Sequence, residues 1–127
     1  MSAKSQETAS CTEVGEFSWN ELITQNPAAS GAFYEKLFGW RSEPFSPEYS
    51  LFKKAAESVG GMLKMQGAQP GWLAYVTVED CDQSARKARE LGAKIAVEAK
   101  DIPEVGRIAV IVDPQGAALG LFQPAQK

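Results

Sequence analysis

An internal repeat constrains the fold of this chain more than any other feature. The segments FSWNELITQNPAASGAFYEKLFGW (17–40) and GWLAYVTVEDCDQSARKARELGAK (71–94) each resemble an eight-residue strand followed by a helix that ends at a glycine. Two candidate helix N-caps, Asn26 and Asp80, stand 54 residues apart. Both residue types accept hydrogen bonds from the first free N–H groups of a helix. Repetition of a whole strand–helix unit predicts a duplicated structure.

Each copy continues with three further strand candidates, separated by turn-forming residues. We predict strands at about 41–45, 49–55 and 59–65, and again at about 94–99, 106–112 and 117–122. The order β-α-β-β-β, found twice, predicts an α+β fold with a curved mixed sheet and helices outside. We expect a polar, flexible arm at 1–15 and one domain at 16–125, whose two halves (about 17–66 and 71–123) enclose a cup.

Apolar residues spaced along each helix predict which side faces the core. In the first helix the apolar stripe consists of Ala29, Phe33 and Leu37, with Tyr34 and Phe38 beside them. In the second helix the stripe is narrower and consists of Cys81, Ala85, Ala88 and Leu91.

The residue content excludes several classes of function. The chain has 127 residues and no histidine, so catalysis by Ser-His or Cys-His pairs and imidazole metal sites are excluded. A net charge of −3 gives no reason to expect nucleic acid or an anionic membrane as a partner. No apolar run approaches the roughly 20 residues that cross a bilayer, and the polar start is unlike a secretory signal. We therefore expect a cytoplasmic protein.

The two cysteines do not indicate a disulfide framework. Cys11 lies in the polar arm, and Cys81 stands at the start of the second predicted helix. A thiol at a helix N-terminus can have a lowered pKa and become reactive. Because no histidine is present to activate it, we favour Cys81 as a small residue of the core.

Three segments carry a resemblance to a known family: WNELITQNPAASGAFYEKLFGW, YVTVEDCDQSARKARELGAK and VIVDPQGAALGLFQP. Together they resemble the vicinal oxygen chelate superfamily, which includes glyoxalases, bleomycin-resistance proteins and extradiol dioxygenases. The resemblance covers about 17–124 and is greatest to the small glyoxalase-like, or CFP-30-like, branch. It implies the cup-shaped fold predicted above and a homodimer.

The resemblance also gives positions at which metal-dependent members hold a divalent metal with His and Glu side chains. Carried onto this chain, these positions fall on Trp19, Leu73, Gly120 and a residue within 60–63, GGML. None of these side chains is a metal ligand. We therefore predict no metal and no cofactor, although the family fold is retained.

Alternation along the strands, combined with the family geometry, predicts the lining of the cup. The predicted ligand-binding residues are Trp19, Glu21, Leu73, Tyr75, Thr77 and Phe122. Such a lining suits a small hydrophobic, aromatic or cationic ligand. Trp40 and Trp72 fall outside this lining, and we interpret them as packing or dimer-surface residues.

Three functions remain open. The first is a metal-independent small-molecule-binding protein similar to the bleomycin-resistance proteins. The second is a metal-free lyase or isomerase in which Glu21, with Tyr75, acts as acid or base. If Glu21 is not catalytic, it has a structural role and forms hydrogen bonds with local backbone or with a residue such as Arg41 or Arg107. The third function is an accessory or interaction domain without an active cup.

Overall fold

The structure is a computed structural model that describes residues 13–65 and 69–125. It contains two βαβββ modules, so the predicted α+β class and order of elements are confirmed. The first module consists of β1 (Phe17–Thr24), α1 (Pro27–Phe38), β2 (Arg41–Ser46), β3 (Tyr49–Lys54) and β4 (Glu57–Lys64). The second consists of β5 (Gly71–Thr77), α2 (Cys81–Glu90), β6 (Lys94–Ile102), β7 (Gly106–Val112) and β8 (Ala118–Pro124). Residues 1–12 of the predicted arm, with Cys11, lie outside the described residues.

The chain forms two compact units. The first-half unit is Asn20–Leu73, and the second-half unit holds the described parts of Met1–Trp19 and Ala74–Lys127. Strand order is β2-β3-β4-β1 in the first-half unit and β5-β8-β7-β6 in the second-half unit. In each, the first strand of the module pairs in parallel with the fourth, and the remaining pairs are antiparallel. The two modules therefore repeat the same mixed sheet topology.

The predicted caps start both helices. The side chain of Asn26 accepts a hydrogen bond from the N–H of Ala29 at 3.1 Å, and that of Asp80 accepts one from the N–H of Gln83 at 3.0 Å. Gly39 follows α1 with φ 81°, a left-handed conformation that favours glycine. These local signals explain why the helix boundaries were predictable.

In the second-half unit, α2 packs on the sheet through Cys81 and Ala85, which contact Ala109 of β7 and Leu121 of β8. The predicted core role of Leu91 is wrong, since its side chain is 70% exposed. The helix ends at Glu90, and Leu91 is the residue that caps it. The spacing that predicted an inward Leu91 therefore applies to a helix longer than α2.

An ion-pair network also fixes α2 to the sheet. The guanidinium of Arg107, on β7, donates to both carboxylate oxygens of Asp82 at 2.8 and 3.1 Å, and to Asp101 at 3.0 Å. The hydrogen bond from Arg107 holds the pKa of Asp82 below its ordinary value. At the start of α2, the Cys81 N–H donates to the side-chain carbonyl of Gln123 at 2.8 Å.

In the first-half unit, the buried core is Leu22, Phe52 and Met62, packed against Tyr34 and Trp40. The predicted inward stripe of α1 is wrong: Phe33 and Leu37 are 58% and 57% exposed, and Ala29 is exposed as well.

A close contact at Gly31 explains the orientation of α1. Gly31 is the one buried residue of this helix, and a Cβ added there would lie 2.7 Å from Oγ of Ser42. The absence of a side chain lets α1 approach β2 closely, and Tyr34 then points into the core from the next turn. The stripe of Ala29, Phe33 and Leu37 is left on another side of the helix.

Tyr34 is the centre of an aromatic cluster. Its ring centroid lies 4.9 to 6.1 Å from those of Phe33, Phe38, Trp40, Phe52 and Trp72. The Trp72 indole N–H also donates to the Tyr34 hydroxyl at 3.2 Å. Both predicted packing tryptophans, Trp40 and Trp72, therefore belong to the cluster. Within 13–65 and 69–125, neither helix has the length and apolar character needed to cross a bilayer.

Candidate functional site

Three of the predicted site residues lie together on one face of the second-half unit. In the parallel β5–β8 pair, Tyr75 stands opposite Gly120, and Thr77 stands opposite Phe122. Residues in register share a face, so Tyr75, Thr77 and Phe122 are neighbours. Their exposed fractions are 5%, 2% and 6%. The other face of β8 carries Leu121, which packs against α2, so the predicted division of faces is present in this unit.

The Tyr75 ring lies directly on Gly120. A Cβ added to Gly120 would overlap the ring, coming within 2.7 Å of Cγ of Tyr75 and closer to two further ring carbons. The ring therefore occupies the space that any side chain at position 120 would need. Sequence reasoning missed this role, because it identified Gly120 merely as a position without a metal ligand.

Thr77 has a buried hydroxyl without a partner. Its backbone is bonded: the N–H donates to the Glu16 carbonyl at 2.9 Å, and the carbonyl accepts from the Gly15 N–H at 2.8 Å. In the part of the chain that the structure describes, Oγ1 of Thr77 is the buried side-chain polar atom that no hydrogen bond satisfies. Burial of such a group costs roughly 1–3 kcal/mol. A ligand that bonds this hydroxyl would recover that cost.

The remaining predicted residues are distributed over both units. Trp19 belongs to the second-half unit and is half-buried. Glu21 and Leu73 belong to the first-half unit, where their exposed fractions are 6% and 7%. In the parallel β1–β4 pair, Glu21 stands opposite Gly61. This pairing repeats that of Tyr75 with Gly120 in the other module. The sequence signal for the repeated pairing is the presence of glycine in both fourth strands.

A buried carboxylate such as Glu21 is stable only when hydrogen bonds or a counter-charge compensate its lost hydration. Two arginines were suggested as partners from the sequence. In the structure, Arg107 bonds Asp82 and Asp101, and Arg41 donates to the Ala55 carbonyl at 3.1 Å.

The residues of this chain do not fit the divalent metal site of the metal-dependent relatives. Across 13–65 and 69–125, no three His, Cys, Asp or Glu side chains are grouped closely enough to hold a metal ion. Glycine stands at both fourth-strand positions, 61 and 120, and supplies no side-chain donor. At position 120 the Tyr75 ring also fills the space that a ligand side chain would require.

Cys81 does not have the properties of a nucleophile. It is fully buried, and desolvation by burial, aided by the negative charge of Asp82, raises its pKa from 9.0 to about 11. The alternative of a lowered-pKa thiol is therefore wrong. The helix N-terminus does not overcome the loss of hydration of the thiolate.

We predict that Cys81 resists alkylation in the native protein. Because its pKa is raised, the thiolate fraction at pH 8 falls about 100-fold relative to a thiol of ordinary pKa, and burial further limits access. Iodoacetamide labelling followed by peptide mapping at pH 8 to 11 would report on Cys81 separately from Cys11. Modification should remain minimal at pH 8 and increase toward pH 11. Rapid labelling of Cys81 at pH 8 would contradict its assignment as a buried thiol of raised pKa. Denatured protein is the control, in which both cysteines should be labelled.

Comparison with known proteins agrees with this architecture. A family model described as a glyoxalase-like domain matches residues 20–122. “Putative glyoxylase CFP32” of Mycobacterium tuberculosis is 38% identical over 119 residues, covering 89% of this chain and 46% of that protein. “Anthracycline biosynthesis protein DnrV” of Streptomyces peucetius is 26% identical over 125 residues, covering 83% of this chain and 46% of that protein. The chain therefore spans about half the length of these curated relatives.

A solved structure shows the same fold. The Mn(II)-bound glyoxalase from Novosphingobium aromaticivorans aligns with a TM-score of 0.58 at 16% identity, over 87% of this chain and 39% of that one. At this identity the likeness concerns the fold alone. The repeated module, the matched family model and the shared fold together show that this chain belongs to the glyoxalase-like family of the vicinal oxygen chelate superfamily.

Proposed function

We propose that this protein binds a small, neutral aromatic molecule carrying carbonyl or hydroxyl groups, and that it does so without a metal. The observation that carries the proposal is the buried, unpartnered hydroxyl of Thr77. It shares a face with Tyr75 and Phe122, whose side chains are aromatic, uncharged and buried. An apolar surface with one polar group that fixes orientation is typical of small-molecule sites.

The relatives support the proposed class of ligand. DnrV is named for anthracycline biosynthesis, and anthracyclines are polycyclic aromatic compounds rich in carbonyl and hydroxyl oxygens. Metal independence is supported by the donor set, since the family's ligand positions hold Trp19, Leu73 and glycine. Among the ligands considered from sequence, an aromatic one is best suited to this face, since Tyr75 and Phe122 beside Thr77 are uncharged aromatic residues.

Calorimetric titration at pH 7 with 2-naphthol, a neutral aromatic molecule that carries one hydroxyl group, tests this function. We expect binding by tag-free protein to be the same with and without EDTA, because no step of recognition uses a metal. The Thr77→Val variant should bind about 10-fold more weakly, the effect of one lost hydrogen bond. Thr24→Val, which removes a hydroxyl in the other unit, should bind like the wild type. Abolition of binding by EDTA, or unchanged affinity in Thr77→Val, would contradict the proposal.

The buried carboxylate of Glu21 favours a second candidate function, metal-free proton transfer as in an isomerase or lyase. Here Glu21 would remove a proton from carbon next to a substrate carbonyl. Deuterium incorporation from D2O into aryl α-hydroxyketones, followed by proton NMR, tests this chemistry. Loss of exchange in Glu21→Gln, with the fold retained, would support it, and equal exchange in both proteins would exclude Glu21 as the base.

A further inference from the structure

The face around Thr77 is closed to solvent. Tyr75, Thr77 and Phe122 have exposed fractions between 2% and 6%, so a ligand reaches the Thr77 hydroxyl only when a neighbouring element moves away. Along one edge of β5, Thr77 is flanked by Phe122 of β8. β8 lies between β5 and β7, so it cannot move without breaking sheet hydrogen bonds on both of its sides. The opening must therefore be sought at the other edge of β5.

The other edge of β5 at Thr77 is covered by residues 13–16, which precede β1. We call this segment the N-terminal strap. The Thr77 carbonyl accepts a hydrogen bond from the Gly15 N–H at 2.8 Å, and the Thr77 N–H donates to the Glu16 carbonyl at 2.9 Å. The N–H and the carbonyl of one strand residue point to the same edge of the strand. The strap therefore flanks Thr77 on the side away from β8.

The N-terminal strap buries little surface. All four of its residues are exposed, and Val14 is 64% exposed. Two further bonds of the strap are internal: the Glu16 N–H donates to the Glu13 carbonyl at 3.1 Å, and the Glu13 N–H donates to the Glu16 carboxylate at 3.2 Å. A cavity of about 670 Å³ is bounded by Val14 and Gly15 and by residues of α2, so the strap has room to move on that side. Segments with few buried contacts open at the lowest cost in free energy.

We propose that the N-terminal strap is the gate of the Thr77 site: it leaves the edge of β5 to admit the ligand and then closes again. This role rests on the function proposed above, because the gate serves the ligand that bonds the Thr77 hydroxyl. The moving segment ends at Ser18 of β1, whose hydroxyl donates to the Tyr75 carbonyl at 3.4 Å. Opening of the strap therefore leaves Tyr75 in place.

Hydrogen-exchange NMR on the full chain without ligand tests whether the strap opens. Thr77 and Val78 are adjacent in sequence, but the Thr77 N–H bonds the strap, whereas the Val78 N–H donates to the Phe122 carbonyl of β8 at 2.8 Å. We expect the amides of Gly15 and Thr77 to share one opening equilibrium, at least about 10-fold more populated than that of Val78. Equal protection of Thr77 and Val78 would overturn the proposal.

The Gly15→Ala variant tests whether this opening admits the ligand. Gly15 has φ 91° and no atom within 4 Å of an added Cβ. Alanine therefore strains the closed strap without a clash and should increase the open population about 5-fold. In stopped-flow fluorescence with 2-naphthol at pH 7, association and dissociation should both become about 5-fold faster. The Kd should not change, because the closed strap is strained equally with and without ligand.

Gly116→Ala is the matched control. Position 116 has φ 97° and no atom within 4 Å of an added Cβ, but it precedes β8 and lies outside the strap. Alanine at this position introduces the same kind of backbone strain. It should leave both rates unchanged.

The outcomes distinguish the gate from the binding function. Binding of 2-naphthol with unchanged rates in Gly15→Ala would overturn the gate and leave the proposed function intact. A higher Kd without faster association would also overturn the gate, because it would make Gly15 a part of the binding surface. Absence of 2-naphthol binding by the wild type would overturn the proposed function, and the gate with it.

Discussion

Replacement of Gly120 by alanine is expected to destabilise the protein by about 2–3 kcal/mol, the upper part of the usual range for overpacking a filled core. The added methyl would overlap the Tyr75 ring, which is 5% exposed. Backbone strain does not contribute, since Gly120 has no positive φ. Urea unfolding monitored by far-ultraviolet circular dichroism would measure the change in unfolding free energy.

A double-mutant cycle isolates the contact between Gly120 and Tyr75. In a Tyr75→Ala background the alanine at 120 meets open space, so its cost should fall below about 1 kcal/mol. Gly116→Ala is the control: position 116 has φ 97° and no atom within 4 Å of an added Cβ. Its backbone cost should be the same with tyrosine or alanine at position 75. An equal cost of Gly120→Ala in both backgrounds would show that Tyr75 does not rest on Gly120.

This contact also limits which side chains position 120 can hold. We expect that a glutamate introduced at position 120 would not create a metal site, because the Tyr75 ring occupies its space and histidine is absent from the chain. The glycine and the tyrosine act as a pair.

The fold could be predicted because its signals are local and occur twice. The caps at Asn26 and Asp80 are satisfied by N–H groups three residues away, so a short stretch of sequence contains the whole interaction. The turn before the last strand behaves in the same way, since Asp113 accepts from the N–H groups of Gln115 and Ala117. Those bonds hold the pKa of Asp113 below its ordinary value.

The parts that could not be predicted depend on residues distant in sequence. The orientation of α1 is decided by the approach of Gly31 to Ser42 on another element, whereas helical spacing alone favoured the stripe through Phe33 and Leu37. Strand alternation placed Tyr75 and Thr77 on the same face of the sheet but could not tell which residues lie beside each of them. Strand register distinguishes them, because it places glycine beside Tyr75 and Phe122 beside Thr77.

Thr77→Val is expected to stabilise the ligand-free protein by about 1–2 kcal/mol. Valine has nearly the shape of threonine, and the substitution removes a buried hydroxyl that no hydrogen bond satisfies. Thr24→Val is the matched control. Thr24 also ends the first strand of its module and is 7% exposed, but its hydroxyl bonds Oγ of Ser30 at 2.9 Å and the Asn26 N–H at 3.1 Å. This control should be destabilised by about 1–2 kcal/mol, the opposite sign.

The difference in stability between Thr77→Val and the wild type should nearly vanish when ligand is present, because a Kd that is about 10-fold weaker offsets about 1.4 kcal/mol. A ligand that binds the native state raises its stability in proportion to the logarithm of its concentration over Kd. Near-saturating 2-naphthol should therefore raise the Tm of the wild type more than that of Thr77→Val. Destabilisation of the ligand-free Thr77→Val protein would mean that the hydroxyl has a structural partner. Stabilisation without a reduced response to 2-naphthol would mean that the hydroxyl is unsatisfied but takes no part in binding, and would contradict the proposed function.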